Sequence, residues 1–161
     1  MQVKTSHGGV SSPTVLLSLC CAALLTISAT AFASNNTFVE VQSNRSFDDT
    51  VSTLKHAVSN NGLMVMGQIN QARVLSMTGL HLEGAQAFLV GNPKVGKKLF
   101  GMTPSAGAVL PARIYVWQAH GKSHIGYFRP SVLLTSINPH LQKAGEMLDM
   151  KFSQIAEDAS R

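Results

Sequence analysis

Residues 109–128 read VLPARIYVWQAHGKSHIGYF, and this stretch decides the fold. Two runs rich in β-branched and aromatic residues, 109–118 and 123–128, flank Ala119-His120-Gly121-Lys122. Gly121 supplies the positive φ that a tight turn requires, so the runs read as an antiparallel hairpin. Successive strand residues point to opposite faces. That sets Leu110, Ile114 and Val116 on one face and Arg113, Tyr115 and Trp117 on the other.

Moving toward the N-terminus, Met102 to Gly107 is a loop marked by Pro104 and Gly107. It is preceded by a helix that starts at Asn92-Pro93. Asparagine accepts hydrogen bonds from the first N–H groups of a helix, and proline at the first helical position loses no needed donor. Residues 85–90 form a strand with apolar residues on both faces. Residues 70–79 form a short helix expected to turn Val74, Leu75 and Leu80 inward. In the strand 63–69, Leu63, Val65, Gly67 and Ile69 share one face and Met64, Met66 and Gln68 the other, which places it inside the sheet.

A helix opens at Ser46, three residues ahead of Asp49 at capping-box spacing, with Asp48 and Asp49 against the positive end of the helix dipole. Phe47, Val51, Leu54 and Val58 follow at helical spacing, and Asn60-Asn61-Gly62 ends it. Residues 38–41 alternate as a first strand. Beyond the hairpin, helical structure starts at 131–137, Asn138-Pro139 repeats the cap-plus-proline signal, and Leu141, Ala144, Leu148, Phe152 and Ile155 trace one apolar stripe. The order is β-α-β-α-β-α-β-β-α in an α+β domain.

The first 33 residues read differently. A polar start with Lys4, an apolar run over 15–27 and the small-residue tripeptide Ala31-Phe32-Ala33 form the pattern of a cleaved signal peptide. The run is too short and too interrupted by Ser18 and Thr26 for a stable membrane span. Leu19 before Cys20 lacks the small residue that lipidation needs. Residues 34–161 then remain as a single domain, in the periplasm or secreted, with no membrane span after processing. Both cysteines, Cys20 and Cys21, leave with the signal, which excludes disulfides and thiol chemistry from the mature chain.

Thirteen Lys and Arg stand against eight Asp and Glu, a mild net charge of +5. The cations are scattered, apart from Lys94, Lys97 and Lys98, and lack interleaved aromatics, so no nucleic acid is expected as a partner. No Gly-x-Ser-x-Gly elbow, His-Glu-x-x-His helix or phosphate loop is present. The sequence therefore leans away from an enzyme. His120, His124, Met64 and Met66 carry copper-compatible donors, but methionines at that spacing belong to a core and a turn histidine to solvent. Neither a metal nor a cofactor is expected.

The segments Ser46-Phe47-Asp48-Asp49-Thr50 through Gly62-Leu63-Met64-Val65, then Gly91-Asn92-Pro93-Lys94, then Leu110-Pro111-Ala112-Arg113-Ile114-Tyr115-Val116, resemble the bacterial and archaeal domain-of-unknown-function 302 family. The likeness runs from about Phe38 to Ile155. It implies a compact α+β domain with a curved, mainly antiparallel sheet and helices on one side, and it allows for a homodimer. It implies no established activity. Family members often carry cysteine between the proline and arginine of the Pro-x-Arg segment; here that residue is Ala112, so no thiol or metal role transfers. The positions matching the family pattern nominate Asn92, Lys94, Arg113 and Tyr115 as a binding site. The helix-start N–H groups and the Arg113 guanidinium would converge on an anionic or carbonyl-bearing ligand. An ordinary helix cap and a surface arginine held by stacking on its aromatic neighbours explain the same residues without a ligand. The expected role is binding of a small ligand or a partner protein, with a small enzyme built around Arg113 and Asn92 as the alternative.

Overall fold

The computed structural model describes residues 37–161. Five strands form one antiparallel sheet: β1 (Phe38–Ser43), β2 (Met64–Asn70), β3 (Ala85–Gly91), β4 (Ala112–Ala119) and β5 (Lys122–Phe128). Their spatial order is β1-β5-β4-β3-β2. The helices are α1 (Phe47–Asn60), α2 (Gln71–Ser76), α3 (Pro93–Met102), α4 (Pro130–Ile137) and α5 (Gln142–Ser160). The α+β class and the element order agree with the sequence reading. The last helical segment is divided in two, because Asn138 leaves the helix in extended backbone and a short 3-10 turn, Pro139–Leu141, precedes α5. The expected loop at 102–107 is likewise organised as a 3-10 turn over Pro104–Ala108.

The hairpin forms as read, with Trp117 opposite His124 and Ala119 opposite Lys122. His120 joins Gly121 at positive φ, 52° and 70°, as a two-residue turn matching the strand twist requires. Ser46 caps α1 as read, its Oγ accepting from Asp49 N at 3.2 Å, but the return contact of Asp49 is to the Ser46 hydroxyl, which donates to Oδ2 at 2.6 Å, and not to the backbone N–H of a full capping box. Val51, Leu54 and Val58 of α1 and Phe152 and Ile155 of α5 pack over Phe88, Ile114, Val116 and Ile125 on one face of the sheet. Burying this set supplies the main apolar driving force of the domain, since each large side chain withdrawn from water contributes about 1.5–3 kcal/mol.

Two expectations need correction. The strand at 63–69 is the sheet's edge, not its interior, and Met64, Met66 and Ile69 are exposed. The register explains why its alternation misleads. Val65 lies opposite Val90 but Gly67 opposite Leu89, so a β-bulge at Met66 puts Val65 and Gly67 on different faces. The second correction is α2, which buries nothing: Val74 and Leu80 are exposed, and an isolated helix of six residues is held by the chain on either side of it.

Candidate binding cavity

The bulge has a spatial consequence at the end of β3. Gly91 there is approached by both Met66 and Pro111: a Cβ on Gly91 would stand 3.1 Å from Met66 Sδ and 3.3 Å from Pro111 Cβ. The peptide bond before Pro111 is cis. Immediately after Gly91 the chain turns into α3. Asn92 Oδ1 accepts from Lys94 N at 2.9 Å and Val95 N at 3.3 Å, while its Nδ2 donates to Gly62 O at 2.9 Å. One side chain thus caps the helix and ties it to the turn between α1 and β2.

Beside this cap lies a cavity of about 270 Å³, lined by Met66, Val90, Leu99, Phe100, Leu110 and Leu148 among others. Asn92 and Lys97 contribute the polar side chains of its wall. A second, smaller apolar cluster supports it from below: Leu99, Ala106, Leu134 and Leu141, with Leu110, Ala144 and Leu148 packed against them. Polar ties hold that cluster together. Asn138 Nδ2 donates to Thr103 Oγ1 at 3.0 Å, and Ser131 N donates to Asp149 Oδ1 at 2.9 Å.

The four nominated residues do not meet around one point. Asn92 lines the cavity, whereas Lys94, Arg113 and Tyr115 do not. Lys94 is exposed in the first turn of α3. Arg113 and Tyr115 project from the sheet face opposite α1 and α5, where their strand partners are Leu89 and Ala87. Arg113 is exposed, and the expected stack of aromatics on its guanidinium is not what the rings do. Tyr115 stacks on Trp117 with centroids 5.3 Å apart, and Trp117 stacks on His124 at 5.1 Å. Burial within this stack raises the pKa of the Tyr115 phenol. Glu40 Oε1 lies 2.9 Å from His124 Nδ1.

The metal-compatible donors are also dispersed. Met64 pairs with Gly91 at the end of β3, while His124 lies on β5 opposite Trp117, which itself pairs with Ala85 at the start of β3. Among the described residues no group of three or more His, Cys, Asp or Glu is placed to hold a metal ion. Among them, too, no helix is long and apolar enough to cross a membrane.

The cavity's principal wall residues, Met66, Leu99, Leu110 and Leu148, escape a reading of the sequence. Their only signal is ordinary hydrophobicity, and Met66 reaches the site through a bulge that strict alternation cannot reveal.

The family described as "Domain of unknown function DUF302" matches residues 39–158. No curated protein matches the chain. Among solved structures, the crystal structure of an uncharacterized conserved DUF302 protein from Bacillus stearothermophilus superposes with a TM-score of 0.72 at 21% identity. The match covers 78% of this chain and 98% of that one.

Proposed function

The chain belongs to the DUF302 family, and from the geometry of this member we propose that it is a non-enzymatic binding domain working outside the cytoplasm, with a small ligand held in the cavity beside Asn92. The observation that carries the reading is the cavity itself, about 270 Å³ in volume and walled mainly by apolar side chains. Ligand sites are concave and mostly apolar, with a few polar groups that fix orientation. Catalysis needs several polar groups converging on a reacting atom. Here Asn92 already spends its oxygen on two N–H groups and its amide on Gly62 O, which favours binding over an enzyme.

The exported location belongs to the same proposal and rests on the signal-peptide pattern ending at Ala33, which lies outside the described residues. A homodimer or partner protein would use a different surface, the sheet face that carries Arg113 and Tyr115. Phe38 and Phe128, both exposed, meet edge to face there with centroids 5.2 Å apart.

Native mass spectrometry of protein purified from the exported fraction tests the whole reading. The expected spectrum has a chain beginning at Ser34, carrying a small-molecule adduct that is lost when the cavity is filled by Gly96→Leu. A chain beginning at Met1 would remove the export proposal. A ligand-free chain that also fails to take up hydrophobic probes would remove the cavity as a binding site.

A further inference from the structure

Among the residues that line the cavity, the one charged side chain is a cation, Lys97. Between Glu83 and Glu146 the chain has no carboxylate side chain and seven Lys and Arg, and this segment supplies α3, β4, β5 and α4. Lys97 lines the cavity while remaining exposed, which sets it at the rim. Among the described residues it makes no ion pair. The carboxylate nearest in sequence to the lining residue Leu148 is Asp149, and that group is already committed to Ser131 through both the backbone N–H and the hydroxyl.

An apolar chamber with an unpaired cation at its rim selects for one chemical class. An apolar cavity of about 150 Å³ holds a benzene ring. The 270 Å³ found here has room for a fused two-ring or compact branched hydrocarbon. Lysine acts as a point charge on a flexible stem, which can lie along apolar surface while its ammonium stays in water. Resting on the cavity reading above, we infer that the ligand is a compact amphipathic monoanion, its hydrocarbon against Met66, Leu99, Leu110 and Leu148 and its anionic head at Lys97.

A matched pair of probes separates this inference from the reading it rests on. 2-Naphthoate and 2-naphthamide share a hydrocarbon and differ in charge. Each is titrated into isotope-labelled protein while the amide signals of Gly91, Val95 and Gly96 are followed. The expected result is that both probes shift these signals, with naphthoate about tenfold tighter at low salt. Lys97→Gln should erase that preference and leave naphthamide binding unchanged. Equal affinities in the wild type overturn the anion assignment, and a preference that survives Lys97→Gln overturns the placement of the head at Lys97, while in both cases the cavity still binds. If neither probe moves these signals, the cavity reading falls and the anion assignment falls with it. A circular-dichroism melt of Lys97→Gln matching wild type secures the comparison, and Lys97→Arg, which keeps the charge, should retain the preference.

Discussion

The domain contains two apolar clusters made from the same residue types and packed to different ends. Under the sheet, Leu54, Phe88, Ile114, Phe152 and Ile155 have no solvent-accessible surface, and they come from four regular elements, α1, β3, β4 and α5, that close on one another. At the α3 end, Leu99, Ala106, Leu134 and Leu141 come from short helices and 3-10 turns, and beside them the chain leaves about 270 Å³ unfilled. α3 carries Gly96 and Gly101 in ten residues and buries only Leu99. Glycine weakens a helix, and elements with few buried contacts open at lower free energy than the core. The contrast separates a region that is fully closed on itself from one that leaves space unfilled.

The strongest way to break this comparison is Phe88→Ala. Removing a wholly buried ring from the sheet core should cost about 3–5 kcal/mol, read as a fall in the urea midpoint. A loss comparable to that of a surface substitution would show that this core is not close-packed. Gly145→Ala comes next. A Cβ there would run into the Ser131 backbone, so α4 and α5 must part. Overpacking of this kind should cost about 1–3 kcal/mol, and an unchanged melting temperature would refute the close approach of the two helices.

Asn92→Ala removes both the α3 cap and the tie to Gly62, with an expected loss of about 0.5–2 kcal/mol. Hydrogen exchange should localise that loss to α3, and uniform deprotection would deny the element its separate character. Gly96→Ala should have the opposite sign from Gly145→Ala. Its Cβ would find only Phe100 Cε2 at 3.7 Å, an ordinary contact, so better helix propensity should raise stability by roughly 0.5–1 kcal/mol. A destabilised Gly96→Ala would mean that α3 is tighter than it looks.

The smallest expected effect is alkaline and belongs to the sheet core. Burial raises the pKa of Tyr127 above its usual 10.0, with Arg129 pulling the other way. The unfolded phenol therefore gives up its proton first. Stability should hold below pH 10 and fall as the pH rises from there through the folded value. Tyr127→Phe should flatten that slope in melts run at rising pH, and an unaltered slope would assign it elsewhere.

Local chemistry made much of the fold legible. Ser46 and Asp49, Asn92 and Pro93, and Gly121 each announce an element end through groups that satisfy or release the backbone, and each does so in the structure. The edge position of β2 was hidden because Met64, Val65 and Met66 are apolar on both faces, and the bulge erases the alternation that would have sorted them. The site was less legible than the fold. The sequence reading turns the N–H groups at the start of α3 toward a ligand, whereas in the structure Asn92 Oδ1 already accepts from two of them. Arg113 and Tyr115 were grouped with it by family pattern, and the sheet carries them to another face. A cavity is made by what distant segments fail to fill, and no short stretch of sequence encodes that.

The Tyr115–Trp117–His124 stack has an optical consequence. Trp117 is the only tryptophan in the chain, and its indole stacks with a phenol and with an imidazole at interplanar angles of 13° and 15°. Its emission should therefore be dimmed by its neighbours. Trp117 does not line the cavity. A molecule entering beside Asn92 should leave the emission unmoved, while a second chain settling on the sheet face should change it, so this one fluorophore can tell the two events apart in unlabelled protein.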